Sequence, residues 1–153
     1  MGTWELVQKP PDAIPIKNKW VFLKKRNKEG VEIRKRARLV AKGCAQRFRY
    51  DYIETYSPVV RMDMLCAILA LVPLKNLQLN QMDVKGAYLN GILQETIYME
   101  QPEGYEDGTG RVCRLVKTLY GLKQAGQEWN KELDGKLKDH EYQCLLSDLC
   151  VYI

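Results

Sequence analysis

Long apolar runs are missing from this chain. The longest, Leu65 to Leu74, is interrupted by Pro73 and is far shorter than the roughly 18 to 20 residues a membrane span needs. No apolar stretch follows the N-terminal region, so no secretory signal is read. Myristoylation of Gly2 is not expected either, because position 6 is Leu6 rather than Ser or Thr. Histidine occurs once, as His140, and the five cysteines (Cys44, Cys66, Cys113, Cys144 and Cys150) include no pair two residues apart. That pattern argues against a zinc site and against a disulfide framework. The cysteines are read as small buried apolar residues in a reducing compartment.

What is present is a globular composition: 153 residues, 46% hydrophobic and 28% charged, enough for one domain or a large part of one. The net charge of +5 hides an asymmetry. Between Lys17 and Arg49 lie 13 Lys and Arg against two acids, Glu29 and Glu32. One strongly basic lobe on a mildly acidic remainder points to a polyanion partner. A solvated charged hairpin would carry the same signal.

Residues 16–26 read IKNKWVFLKKR, β-favouring and alternating. Asn27 to Gly30 predict a turn, and Val31, Ile33 and Leu39 to Ala41 a returning strand, giving a basic β-hairpin. Long cations on a narrow ribbon are well placed over phosphates. Asp63 is expected to cap a helix from Met64 to about Leu71, buried on most sides and ended by Pro73. Leu77 to Val84 read as a strand, alternating up to Gln81, with Asp83 at its end just before Gly86. A carboxylate there suits chemistry or a helix cap. Ile97 to Met99 and Val112 to Val116 predict a hairpin across the Asp107-Gly108-Thr109-Gly110 turn. Lys123 to Lys138 predict an amphipathic helix, and Leu149 to Ile153 a strand.

Ordered blocks then carry a resemblance. They are Trp4-Glu5-Leu6-Val7, Lys19-Trp20-Val21-Phe22, Ala37-Arg38-Leu39-Val40-Ala41-Lys42-Gly43 followed by Gln46, and Asp51-Tyr52 followed by Glu54-Thr55-Tyr56-Ser57-Pro58-Val59-Val60. Next come Gln81-Met82-Asp83-Val84-Lys85-Gly86-Ala87-Tyr88-Leu89-Asn90-Gly91, Ile97-Tyr98-Met99, Gln101-Pro102-Glu103-Gly104, Leu119-Tyr120-Gly121-Leu122-Lys123-Gln124-Ala125, and Trp129. Together they resemble copia-type retrotransposon reverse transcriptases over essentially the whole chain. Cys44, where that family tends to have an aromatic, is a departure.

The resemblance implies an α+β fold: the fingers and partial palm of a right-hand polymerase, ending before the family's Tyr-x-Asp-Asp hairpin. Residues 16–49 would be the basic fingers hairpin, and residues 62–153 the partial palm with its junction to the fingers. Asp83 matches the first catalytic, metal-binding carboxylate; no Asp-Asp pair occurs in the chain. Hard cations such as Mg²⁺ or Mn²⁺ would bind the intact parent through acidic oxygens. Tyr88 matches an aromatic implied to crowd a ribose 2′-hydroxyl, though a core tyrosine fits the same position. Arg36, Arg38 and Lys42 are candidates for phosphate contact, and the sequence does not assign which of them makes it. Gly121 and Gln124 fall where the family places the nucleotide and template base, a position that also suits a plain helix start. Lys24, Lys25, Lys28 and Arg34 are candidate nucleic-acid contacts.

The implied partners are an RNA template, a DNA primer, deoxynucleotides and the rest of a Pol polyprotein, in the cytoplasmic setting of that family. The expected function is that of a fragment of an RNA-directed DNA polymerase that does not polymerise alone. The alternatives are a non-catalytic nucleic-acid-binding module and a non-functional element remnant.

Overall fold

The computed structural model describes residues 2–153. Its elements in chain order are β1 (Trp4–Val7), β2 (Asn18–Arg26), β3 (Glu32–Ala41), α1 (Met62–Leu74), β4 (Ile92–Met99), β5 (Val112–Lys117), α2 (Ala125–Asp139), β6 (Cys144–Leu145) and β7 (Asp148–Tyr152). This is the mixed helix-and-strand content expected. The strands form three antiparallel sets: β1-β5-β4, the ribbon β2-β3, and the small hairpin β6-β7.

The core forms where the alternating strands can share one apolar face. Cys113 and Leu115 of β5 and Ile97 and Met99 of β4 are buried there. They meet Ile16, Leu39 and Ala41 from the root of the ribbon, and Leu119, Leu122 and Ala125 from the approach to α2. Backbone hydrogen bonds fasten this junction. Ile16 N–H donates to the Tyr98 carbonyl (2.8 Å), and Ala41 N–H donates to the Tyr120 carbonyl (2.8 Å). The ribbon is therefore rooted in the core, while residues 21–35 are exposed throughout.

Two glycines make the junction possible. Gly121 adopts φ +91, and a Cβ on it would collide with the Ala41 carbonyl; a Cβ on Gly43 would collide with the Gly121 carbonyl. The two backbones cross too closely for any side chain.

Several expectations need correction. Leu77 to Val84 form no strand and have no backbone partner strand, so Asp83 does not end one. The alternation runs only from Leu77 to Gln81, and residues 77–84 add to neither edge strand of the sheet, β1 or β4, so the period-2 pattern finds no ladder to complete. The helix α1 begins at Met62, two residues before the expected start. Arg61 precedes it and makes no side-chain cap. Asp63 instead lies in the first turn, paired with Arg61 at 2.6 Å. Pro73 lies inside the last turn, and the helix ends one residue later. Nor is α1 buried on most sides: none of its residues is buried, because no other element covers it. Of the cysteines only Cys113 is fully buried, and Cys44 and Cys66 are exposed.

The other elements agree with the sequence. The ribbon, the β4-β5 pairing, α2 and β7 agree with the periodicity to within a few residues, with β4 starting at Ile92, five residues before the expected Ile97, and β3 continuous from Glu32 rather than broken after Ile33.

Candidate nucleic-acid interface

Cross-strand register decides which side chains share a ribbon face. Lys25 faces Arg34, Leu23 faces Arg36 and Val21 faces Arg38. Arg34, Arg36 and Arg38 therefore stand in a row on one face, about 7 Å apart at two residues of strand rise. Arg34 is exposed, and Arg36 and Arg38 are half-buried toward the root. The opposite face carries Trp20, Phe22, Lys24, Lys35 and Ala37, since their cross-strand partners alternate with the first set. Lys24 and Lys35 reach Glu32 at 3.8 and 3.3 Å; exposed pairs of this kind contribute little. Lys28 projects from the exposed turn, and Lys42 is exposed just past the end of β3.

At the ribbon root the arginine row meets aromatic residues. The Arg38 guanidinium lies over the Tyr120 ring at 5.5 Å. Tyr120 meets Tyr88 edge to face, with ring centroids 5.3 Å apart. Tyr88 sits on the short 3-10 turn Ala87–Asn90, entered through Gly86 at φ +64, and its carbonyl accepts the Thr118 hydroxyl. A cavity of about 450 Å³ opens beside this array, lined by Trp4, Arg38, Leu39, Leu89 and Tyr120 among others. Arg38 and Tyr88, 50 residues apart, are thus joined through Tyr120.

The remaining candidates are placed differently. Gly121 is exposed and supports the backbone crossing. Gln124 is fully buried. Its amide donates to the Asp51 carbonyl (2.8 Å) and to Glu95 Oε2 (3.3 Å), and its carbonyl accepts from Gln46 Nε2 (2.9 Å). Gln46 in turn accepts the Lys123 N–H at 2.8 Å. Gln124 therefore ties the segment after β3 to the start of α2 from beneath the surface.

Asp83 is exposed, five residues before Tyr88. Among the described residues no group of three or more His, Cys, Asp or Glu side chains could hold a metal ion. A lone exposed carboxylate does not fit a pair of divalent cations, each of which needs several oxygen ligands.

Sequence reasoning passed over Tyr120 as a contact residue, although it lies within a quoted block; only the fold reveals that it touches both Arg38 and Tyr88. It also passed over Tyr105, which lies in a loop with no periodic signal.

A family model for reverse transcriptase (RNA-dependent DNA polymerase) matches residues 1–153. The chain belongs to this family. Among curated relatives of this reverse transcriptase segment, the Retrovirus-related Pol polyprotein from transposon TNT 1-94 of Nicotiana tabacum is 45% identical over 153 residues, covering 99% of the chain and 12% of the relative. The Retrovirus-related Pol polyprotein from transposon RE2 of Arabidopsis thaliana is 40% identical, covering 99% of the chain and 11% of the relative. The Transposon Ty1-ER2 Gag-Pol polyprotein of Saccharomyces cerevisiae is 31% identical over 124 residues, covering 76% and 6%. The copia-type resemblance agrees with these plant Pol relatives. The chain spans only 6% to 12% of the length of these three. No solved structure matches it.

Proposed function

We propose that the chain is the fingers and partial palm of a retrotransposon reverse transcriptase, and that by itself it grips nucleic acid without polymerising. The observation that carries this reading is the joining of the arginine row to Tyr88 through Tyr120. It puts phosphate-binding cations beside the residue that, in this reading, crowds the ribose of an incoming deoxynucleotide. Arg36, Arg38 and Lys42 take phosphate oxygens near the root. Lys25 and Arg34 on the arginine face and Lys28 at the turn follow the template or primer backbone farther out, and Lys24, on the opposite face of the same narrow ribbon, adds positive charge beside them. Gly121 and Gln124 shape the floor, Gln124 through its buried amide.

In the longer Pol polyprotein, divalent ions supply the chemistry of nucleotidyl transfer, and Asp83 is the carboxylate this chain contributes. With one carboxylate the 153-residue chain has no set of ligands to hold those ions. RNA template, DNA primer, deoxynucleotides and the remainder of Pol are the partners, in a cytoplasmic setting.

Fluorescence anisotropy with a labelled RNA–DNA duplex tests the binding. Affinity is expected to fall steeply between about 50 and 200 mM salt, as for a protein neutralising several phosphates. A flat salt response contradicts the reading. Primer extension with Mg²⁺ on the same chain is expected to yield no product, and sustained extension contradicts the predicted inactivity. An uncooperative thermal melt would instead favour the remnant alternative.

A further inference from the structure

Away from the nucleic-acid face, two thiols meet at the β6-β7 hairpin. Cys144 and Cys150 lie on its two strands, which turn at Leu146-Ser147. Gln143 and Ile153 exchange both backbone hydrogen bonds, at 2.7 and 2.9 Å. Cys144 then pairs with Tyr152, and Leu145 with Asp148. One residue step on β6 is therefore matched by four on β7, and Cys150, midway along that bulge, stands across from the Cys144–Leu145 step. The Cys144 thiol donates to the Leu149 carbonyl at 3.5 Å and to the Leu145 carbonyl at 3.6 Å. The Leu149 carbonyl belongs to the peptide group that enters Cys150, so the Cys144 sulfur lies against the Cys150 backbone. The spacing of the two cysteines along the chain carries no such signal; the bulged hairpin brings them together.

Both cysteines are half-buried. Cys144 lines an open cavity of about 390 Å³ beside α2, where a small solute reaches it. Burial pushes the Cys150 thiol up, which leaves Cys144 as the thiol that reacts first. Two neighbouring thiols can share a metal ion or a covalent bond. Among the described residues no third His, Cys, Asp or Glu joins them in a group able to hold a metal. A disulfide needs only two sulfurs whose Cα atoms lie about 4.4 to 6.8 Å apart, the spacing of residues that face each other across a hairpin.

We propose that Cys144 and Cys150 are an oxidation site that closes to a disulfide across the hairpin, with a peroxide as the oxidant. Cys144 Sγ loses its proton and attacks one peroxide oxygen. The S–O bond forms, the O–O bond breaks, and the departing oxygen takes that proton as water or an alcohol. Cys150 Sγ then attacks the Cys144 sulfenic sulfur. The S–S bond forms, the S–O bond breaks, and the hydroxide leaves as water with the Cys150 proton. The two thiols are oxidised by two electrons and the peroxide is reduced by two. The bond fixes β7, whose Asp148 accepts the Arg61 N–H at the start of α1 and whose Tyr152 donates to Asp134 of α2. The oxidised hairpin is thus a clasp on both helices. It is independent of the nucleic-acid reading above.

The test treats the 153-residue chain with hydrogen peroxide, alkylates the remaining thiols under denaturing conditions and digests with trypsin. Residues 139–153 contain no Lys or Arg, so cleavage after Lys138 leaves Cys144 and Cys150 in one peptide without the other three cysteines. That peptide is expected to be lighter by two hydrogens and free of alkyl label. In a dithiol redox buffer the bond is expected to be favoured roughly 10- to 100-fold more in the folded chain than in urea, because closing even a short loop costs the unfolded chain entropy. That preference corresponds to about 30 to 60 mV. The thermal midpoint should rise on oxidation of the unaltered chain and stay unchanged in Cys144→Ser, whose melt before oxidation checks that it folds. Alkylation of both thiols, or their bonding to Cys44, Cys66 or Cys113 instead, overturns the proposal. So does a bond no more favourable in the folded chain than in urea.

Discussion

Gly121 shows how much can depend on one side chain. Its φ of +91 and its closeness to the Ala41 carbonyl leave no room for a methyl group. Gly121→Ala is expected to destabilise the chain by about 1 to 3 kcal/mol, read as a lower urea midpoint. An unchanged midpoint would mean that the ribbon root can move away from the turn. Asp148 is a second case. It is buried, and its carboxylate accepts the Arg61 N–H at 2.8 Å and the Cys150 N–H at 2.9 Å. Those two backbone donors hold its carboxyl below the usual range. The stability it adds is therefore complete above the ordinary value near 4 and is lost as pH falls through the lower folded value. The thermal midpoint of the unaltered chain should drop on acidification below about pH 4. Asp148→Asn should melt lower at pH 7 and show a shallower acid drop; equal acid drops in the two would contradict this. Tyr152 reports the same corner: burial and the hydrogen bond to Asp134 push its hydroxyl up to about 12.

Among the elements, the β2-β3 ribbon and α1 differ in how they use their exposed surface. The ribbon presents its cations in register, so the effect of each arginine on binding should be separable. Arg34→Ala, Arg36→Ala and Arg38→Ala are each expected to reduce the magnitude of the slope of log affinity against log salt by about 1. Arg38→Ala should in addition free the Tyr120 ring. A variant that leaves the slope unchanged removes that arginine from the phosphate contacts. The helix α1 is apolar but uncovered: Leu65, Leu69 and Leu74 are all exposed. Leu65→Glu and Leu69→Glu should therefore change stability by less than about 0.5 kcal/mol and reduce binding of a hydrophobic dye. A large stability loss would mean the helix is covered in solution.

Over the whole molecule, stability should be uneven. The buried junction of β1, β4 and β5 with the ribbon root and α2 holds the core, whereas residues 77–84 have no ladder. In hydrogen exchange, amides of Ile97 to Met99 and Val112 to Lys117 should be the slowest and those of residues 77–84 among the fastest. Protection across 77–84 would restore the strand expected there. The sequence by itself determined the family, the charge asymmetry, the ribbon, the β4-β5 pairing and α2. Each of these rests on local signals: ordered motifs, period-2 and period-3.6 patterning, and turn residues. It could not determine whether an alternating segment finds a partner or an apolar helix finds cover, because both depend on what else occupies the adjacent space. Residues 77–84 and α1 depart from their sequence patterns for that reason. The tertiary structure alone decided that Tyr120 links Arg38 to Tyr88, that Gln124 lies beneath the surface, and that Tyr105 completes a ring cluster with Trp20 and Phe22. Each of those contacts joins residues far apart in the chain, and only packing brings them together.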